Sequence, residues 1–163
     1  HYHENMVIEP AFHIALFEPL IPQNTGNIGR LAVGLDVPLH LIHPLGFKID
    51  EKSVRRAGLD YWRDVTLIEH ENLAAFLDWL GDRKAYVLSK KATRSYVDVG
   101  YSRGTVLIFG KETTGVPDEL RERFTALTIP MPGTTRSLNL SNSVAVVAYQ
   151  ALQAISPTLF IRE

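Results

Sequence analysis

The chain has 163 residues, of which 45% are hydrophobic and 21% charged, a composition typical of one globular domain with a substantial core. Its formal net charge of −1 argues against a protein that binds nucleic acid through bulk positive charge, although it leaves room for a local basic surface. The absence of cysteine excludes disulfides, thiol catalysis and cysteine-ligated metals, and it is compatible with a cytoplasmic location. No apolar run approaches the ~20 residues of a membrane span, so no membrane partner is expected.

The sequence predicts one undivided domain. His1–Asn5, ahead of Met6, is interpreted as a remnant of an expression tag, and the domain is expected to run from Met6 to Glu163. No internal repeat, low-complexity tract or linker interrupts it.

Six short, nearly continuous apolar runs predict strands that are covered on both faces. These runs are Phe12–Phe17, Leu39–Ile42, Val65–Ile68, Ala85–Ser89, Thr105–Phe109 and Ala126–Ile129. Helices are predicted over Gly26–Leu35, Glu51–Ala57, Asn72–Leu80, Pro117–Phe124 and Leu140–Ile155, with Pro117 at the first helical position. The predicted fold class is therefore α/β, with a mostly parallel sheet and helices on both faces. Ligands of such sheets bind at the loops that follow the carboxyl ends of the strands.

The loop after the first predicted strand is rich in proline and amide side chains, and it opens a helix that carries Arg30. A cation near a helix N-terminus opposes the helix dipole by ~0.3–1 kcal/mol, so Arg30 is predicted to serve an anionic or polar substrate. The alternative is a surface ion pair with Asp36 or Glu18. Gly26–Gly29 also matches the G-x-x-G clamp of KH-type RNA-binding modules, whereas both phosphate-binding glycine fingerprints are missing.

The loop after the fifth predicted strand combines glycines with a single acid. Gly110 and Gly115 allow close backbone approach, and Glu112 is the only acid at that strand end. A carboxylate there can accept hydrogen bonds from hydroxyls or amines. The alternative is that Glu112 caps the following helix, or pairs with Lys111 or an arginine.

The segment from Ile129 to Ala148 predicts a ligand loop that leads into a buried helix. The loop cannot begin a helix before about Ser137, because it holds two prolines and a glycine. Five short polar side chains follow, more than one helix cap needs: Ser137, Asn139, Ser141, Asn142 and Ser143. The helix from Val144 to Ile155 is apolar on nearly every side, so the sheet is expected to cover one face and a second subunit the other. The alternative is a well-capped core helix in a monomer.

In order and spacing, these three segments resemble the three motifs of SpoU-type RNA 2′-O-methyltransferases of the SPOUT superfamily. The segments are Pro22-x-Asn24-x-Gly26-Asn27-Ile28-x-Arg30, Gly110-x-Glu112-x-x-Gly115-x-Pro117, and Pro130-Met131 with Ser137 to Ser143. The compact length and the segment Arg55–Tyr61 are most similar to the bacterial members that methylate the wobble ribose of tRNA. The resemblance spans Phe12 to Gln153. The sequence departs from the family pattern at Gln23, Lys111 and Thr114, where Pro, Pro and Arg are frequent.

The resemblance implies a deep trefoil knot in the C-terminal half, from about Ile108 onward, and a homodimer whose first and last helices pack across the interface. It implies transfer of a methyl group from S-adenosyl-L-methionine to the 2′-oxygen of nucleotide 34, a cytidine or modified uridine, in the tRNA anticodon stem-loop, without a metal. The implied cofactor-binding residues are Leu88, Gly110, Ile129, Met131, Ser137, Leu138 and Asn139. The implied catalytic residues are Arg30, Glu112, Ser137, Asn139 and Ser141, with Arg30 reaching the target ribose from the opposite subunit.

Methyl transfer of this kind needs an oriented 2′-oxygen and help in losing its proton. Arginine is a poor general base because its usual pKa exceeds ~12, so Arg30 is expected to position the hydroxyl and a phosphate, and the base role stays open. Seven further cations are candidates for a basic rim that contacts RNA, although a scattered, solvated surface is the alternative. They are Arg55, Arg56, Arg63, Lys90, Lys91, Arg94 and Arg136.

Three other functions compete with this interpretation. One is a different SpoU-type RNA 2′-O-methyltransferase, and another is a non-catalytic RNA-binding module that uses the turn from Gly26 to Arg30. Cofactor binding distinguishes such a module from an enzyme. A serine hydrolase using Ser137 or Ser141 is disfavoured, since the sequence has no G-x-S-x-G motif and no histidine after His70.

Overall fold

The protein is described by a computed structural model over residues 9–50, 52, 54, 56, 59–135 and 137–162. Within these residues there are six strands: β1 (Phe12–Phe17), β2 (Leu39–Ile42), β3 (Leu67–His70), β4 (Ala85–Leu88), β5 (Thr105–Phe109) and β6 (Thr125–Leu127). They form one sheet in the order β3-β2-β1-β5-β4-β6, and every neighbouring pair is parallel. The predicted α/β class is confirmed. The predicted third strand is two residues too early, because Val65 N still donates to Trp62 O (3.1 Å) in a turn.

The helices are α1 (Pro22–Leu35), α2 (Leu73–Leu80), α3 (Asp118–Arg123) and α4 (Leu140–Ile155), with 3₁₀ helices at Leu59–Asp64 and Pro157–Phe160. Asn72 caps α2 by accepting from Ala75 N at 2.9 Å. Pro117 is the N-cap of α3 rather than its first helical residue, because its ψ of 153° is extended. The predicted helix over Glu51–Ala57 falls on a segment in which residues 51, 53, 55 and 57 lie outside the described part of the chain.

Helices cover both faces of the sheet, as predicted. On one face α1 and α4 contribute Ile28 and Val147 to the core that includes Ile14 of β1. On the other face α2 and α3 contribute Phe76 and Leu120 to a second core. Burying a side chain of this size stabilises the fold by about 1.5–3 kcal/mol, which is why a central strand covered on both sides is a continuous apolar run.

The first helix begins at Pro22, so the predicted start at Gly26 is wrong. Proline suits the first helical position because its missing N–H has no partner there in any case. Ile21, the N-cap, has no side-chain cap of its own. The early start places Arg30 in the third turn of α1, and the helix-dipole argument for its function therefore does not apply.

The last long helix, α4, has the predicted bounds, but the chain alone buries only one side of it. Val144, Val147, Ala148 and Ala151 are buried. Tyr149 on the same helix is 50% exposed, and the following 3₁₀ helix leaves Leu159 69% exposed. A monomer therefore does not provide the all-round burial that the sequence predicts.

Candidate active site

A cleft of about 630 Å³ lies at the carboxyl ends of β4, β5 and β6. The last residue of each strand lines it: Leu88, Phe109 and Leu127. This edge is where parallel α/β sheets bind ligands. All seven residues predicted to bind the cofactor line the same cleft: Leu88, Gly110, Ile129, Met131, Ser137, Leu138 and Asn139. The three motifs are thus brought together, since Ile21 and Asn24 at the start of α1 also border the cleft.

The wall of the cleft that follows β5 is a tight turn made of backbone. Lys111 N donates to Gly115 O at 3.2 Å, and Gly115 N donates to Lys111 O at 3.0 Å. A Cβ on Gly110 would lie 2.2 Å from the carbonyl carbon of Gly115 and 2.4 Å from Val116 N. Gly115 has a φ of 73°, which favours glycine. The two glycines of the second motif are therefore required by the shape of this turn.

Glu112 joins the second loop to the start of α1. Its Oε1 accepts from Leu20 N at 2.8 Å, and its Oε2 accepts from Ile21 N at 2.9 Å and from Asn24 Nδ2 at 3.2 Å. The carboxylate thereby supplies the polar partner that Ile21, the N-cap, lacks in its own side chain. Glu112 therefore caps α1. The alternative, in which it caps the helix that follows it in sequence, is wrong.

A second contact joins the same two loops. Lys111 Nζ lies 2.8 Å from Glu18 Oε1, and both side chains are about three-quarters buried. Glu18 has a φ of 47°, at the sharp exit from β1. The alternative in which Glu18 pairs with Arg30 is therefore wrong, because the partner of Glu18 is Lys111. The departure from the family pattern at Lys111 creates this ion pair.

The third motif provides the cap of α4. Asn139 Oδ1 accepts from Ser141 N at 2.9 Å and from Ser141 Oγ at 2.7 Å. Ser137 and Asn139 line the cleft, and Ser141 does not. Ser141 therefore fixes the side chain of Asn139, a residue that lines the cleft. Arg136 in the same loop lies outside the described residues.

The predicted basic rim is only partly assembled. Lys90 and Lys91 follow β4 and line the cleft. Arg121 of α3 also lines it and pairs with Asp118, and no motif in the sequence distinguished this residue. The remaining described cations of the rim, Arg56, Arg63 and Arg94, are exposed. Arg55 lies outside the described residues, like Arg136.

Arg30 is exposed and does not line the cleft of its own chain. Asn24 borders the cleft, and Arg30 lies six residues further, or roughly 9 Å along the axis of α1. Its guanidinium carbon is 5.2 Å from the ring centroid of Tyr61. Within the described ranges, no carboxylate forms an ion pair with Arg30, so the alternative of a partner in Asp36 is not supported.

A second group of titratable side chains lies inside the sheet, away from the cleft. His13 of β1, His40 of β2 and His70 of β3 are all buried. His40 bonds to His13 Nδ1 and to His70 Nε2, each at 2.9 Å, and the Trp79 ring covers it at 4.3 Å. Burial lowers the pKa of His40 to about 3, with help from the neighbouring His13, His70 and Arg83. Burial also lowers the pKa of His13 and of His70. The three rings are neutral at pH 7.

The cleft gives no support to hydrolase chemistry, since no histidine occurs among the described residues that line it. Over the described ranges, no group of three or more His, Cys, Asp or Glu side chains is arranged to hold a metal ion. None of the helices in that part of the chain has both the length and the apolar character to cross a membrane.

Comparisons with known proteins identify the class to which this fold and cleft belong. Residues 11–149 match the SpoU rRNA Methylase family, and the chain belongs to that family. The chain is 45% identical over 143 residues to the tRNA (cytidine(34)-2′-O)-methyltransferase of Saccharophagus degradans, covering 86% of this chain and 93% of the relative. It is 42% identical over 142 residues to the enzyme of the same name from Escherichia coli, covering 85% and 90%.

A solved structure gives the same result in three dimensions. It is described as giving structural insights into the 2′-OH methylation of C/U34 on tRNA. The two folds agree with a TM-score of 0.86 at 44% sequence identity, over 88% of this chain and 95% of the other. The resemblance stated from the three motifs is confirmed.

Proposed function

We propose that the protein transfers a methyl group from S-adenosylmethionine to the ribose 2′-oxygen of nucleotide 34 in tRNA. The observation that carries this proposal is the meeting of all three motifs at one cleft, where Glu112 of the second motif fixes Asn24 of the first. Relatives of nearly the same length, at 42–45% identity, have this activity as their name. The target nucleotide is a cytidine or a modified uridine in the anticodon stem-loop.

The residues present fit the proposed cofactor. The cleft of about 630 Å³ lies within the range of small-molecule sites, which is roughly 300–1,000 Å³. Leu88, Ile129 and Leu138 supply apolar surface for a purine ring, and the turn at Gly110 supplies backbone N–H and C=O groups. When bound, S-adenosylmethionine supplies an electrophilic methyl group on a sulfonium.

The chain's own residues then have distinct tasks. Ser137 and Asn139 present polar atoms in the cleft, and Ser141 holds Asn139 in place. Glu112 positions the start of α1, because both of its oxygens are engaged by that segment. Arg30 orients the ribose hydroxyl and an adjacent phosphate through its planar set of N–H donors.

We further propose that the active form is a homodimer in which Arg30 serves the partner's cleft. Arg30 is exposed and remote from the cleft of its own chain. α1 and α4 pack side by side, and Tyr149, Leu159 and Ile161 leave apolar surface exposed near them. Large apolar side chains left exposed along one helix and the segment that follows it are typical of a protein interface. Light scattering at micromolar concentration should give the mass of two chains, and a monomer mass would overturn this part.

We also propose the C-terminal trefoil knot that the family resemblance implies. After β5 the chain forms β6, which pairs with β4 on the side away from β5. The chain then returns to place α4 against α1. The cytoplasmic location expected from the sequence remains a prediction.

The direct test is to incubate the protein with labelled S-adenosylmethionine and total tRNA and then map the modified ribose. We expect label on the 2′-oxygen of nucleotide 34. Label on another RNA position would make the protein a different SpoU-type methyltransferase. Binding of tRNA without binding of S-adenosylmethionine in calorimetry would instead support the non-catalytic RNA-binding module.

A variant separates cofactor binding from catalysis. Arg30→Ala should lower methyl transfer by roughly 10²-fold and leave the affinity for S-adenosylmethionine nearly unchanged, since misplacing one reacting group has a cost of that order. Asn139→Ala should lower both, because Asn139 lines the cleft and caps α4. Arg30→Lys should recover little activity, because lysine lacks the planar fork. Near-full activity of Arg30→Ala at saturating tRNA would remove Arg30 from the mechanism.

A further inference from the structure

Arg30 and Tyr61 form an exposed pair at the surface of α1. The guanidinium carbon lies 5.2 Å from the ring centroid, inside the ~6 Å range over which an aromatic face attracts a cation. Tyr61 is 44% exposed, so the ring does not serve mainly to fill a core. This tyrosine ends the Arg55–Tyr61 segment of the sequence, to which the proposed mechanism gives no other task.

The residues next to this pair explain why the two side chains meet. A Cβ on Gly29 would lie 2.6 Å from Trp62 Cζ3 and 3.3 Å from Val65 Cγ2. Only glycine therefore lets the 3₁₀ helix Leu59–Asp64 approach α1 this closely. The contact between Gly29 and Trp62 fixes the two helices, and the adjacent residue on each, Arg30 and Tyr61, is brought into contact as a result.

A guanidinium held against a ring keeps its hydrogen-bonding capacity. Its five N–H donors lie in the guanidinium plane, so a ring that contacts the face leaves the edge free for a phosphate or a hydroxyl. The contact also restricts a side chain that otherwise has many rotamers. An oriented cation loses less freedom when the substrate binds.

We propose that Tyr61 is a positioning residue for the methyl transfer: its ring holds the guanidinium of Arg30 so that the free N–H edge meets the ribose and phosphate of the target nucleotide. This inference rests on the proposed RNA-facing role of Arg30. The ring acts through Arg30 and makes no bond to the reacting atoms.

The test is a double-mutant cycle on single-turnover methyl transfer, with enzyme in excess over tRNA so that slow variants remain measurable. Tyr61→Leu should lower the rate roughly two- to fivefold, the factor that a cation–π contact at an exposed site supplies. Tyr61→Phe keeps the ring and should restore the rate. In an Arg30→Ala background, Tyr61→Leu should have no further effect, because the group it positions is gone.

Two controls keep the outcome specific. Arg83→Ala removes a closer cation–π pair, 4.2 Å from the Trp79 ring, that does not border the cleft, and it should leave methyl transfer unchanged. The melting temperature and the affinity for S-adenosylmethionine are measured for every variant, and Tyr61→Gln replaces Tyr61→Leu if the latter does not fold.

The results separate this inference from the proposed function. An equal loss for Tyr61→Leu with and without Arg30, or no loss at all, would overturn the positioning role while the enzyme remained a methyltransferase. Absence of methyl transfer to tRNA by the unaltered protein would overturn the proposed function, and the role of Tyr61 with it.

Discussion

The cleft and the histidine cluster handle polar side chains in opposite ways. At the cleft, polar groups lie on loops, and carboxylate and amide oxygens bond to backbone N–H groups, as Glu112 does with Leu20 and Ile21. In the cluster, His13 and His40 lie on strands inside the sheet and bond to each other. Loop groups anchored to backbone leave space for a ligand. Side chains that pack and bond to one another inside a core leave none, although within the described ranges His13 Nε2 has no hydrogen-bond partner.

The comparison teaches that a concentration of titratable groups does not by itself mark an active site. The three buried histidines are the most perturbed imidazoles of the described chain, yet aromatic rings of Trp79 and Phe76 close them off. Buried polar groups that pair internally add specificity to a core. The cleft is identified by glycines and strand ends instead.

The largest expected effect is acid destabilisation through the cluster. The pKa of His40 is about 3 in the folded state, against 6.5 when unfolded, so between those values only the unfolded chain binds the proton. Stability should be full above pH 6.5 and fall as the pH drops toward 3, by roughly 5 kcal/mol from this group, at about 1.4 kcal/mol per pKa unit. Urea unfolding measured across this pH range checks the slope.

A variant pair tests whether the cluster causes that slope. His40→Gln retains a donor and an acceptor but does not titrate, so its stability should vary less steeply between pH 6.5 and 3. His43→Gln makes the same change at a partly exposed histidine outside the cluster, paired with Glu69, and the slope of His40→Gln should be shallower than that of this variant. An unchanged slope in His40→Gln would place the source of acid sensitivity elsewhere.

The next largest effect is expected at the cleft turn. Gly110→Ala would force a Cβ to within 2.2 Å of the backbone of Gly115, so the turn must open. We expect a loss of about 3 kcal/mol in the free energy of unfolding and no measurable binding of S-adenosylmethionine. Denaturant unfolding and calorimetry measure the two quantities.

Gly100→Ala is the matched control for that change. A Cβ at Gly100 meets nothing within 4 Å, so the variant should be unchanged or more stable by about 0.4–1 kcal/mol. If both alanine variants bound the cofactor equally well, the backbone wall after β5 would not be part of its site.

The smallest effect is expected from the bridge between the loops. In Glu112→Gln, an NH₂ group replaces one of the two carboxylate oxygens, so a donor faces a backbone N–H that needs an acceptor. We expect a loss of about 1–2 kcal/mol in the free energy of unfolding, together with slower methyl transfer. Glu122→Gln makes the same chemical change at an exposed site of α3 and should shift stability by less than about 0.5 kcal/mol. If the two variants lost the same free energy of unfolding, the loss would come from the removed charge and not from the cap on α1.

Much of the fold could be predicted because its signals are local. β1, β2, β5 and α4 have the bounds that their apolar patterns indicate, and Asn139 caps α4 as its position suggests. A strand covered on both faces, or a cap at the start of a helix, is encoded within a few consecutive residues. The motif resemblance then identified seven of the residues that line the cleft.

The sequence by itself therefore determined the α/β class, the family and seven of the residues that line the cleft. Tertiary structure alone decided what caps α1, since the cap comes from Glu112, some 90 residues along the chain. It also decided that Lys111 takes Glu18 as its partner, and that Tyr61 lies against Arg30. The reason is physical: local patterns record burial and backbone preference, whereas a contact between distant segments depends on how parallel strands bring their ends to one edge of the sheet.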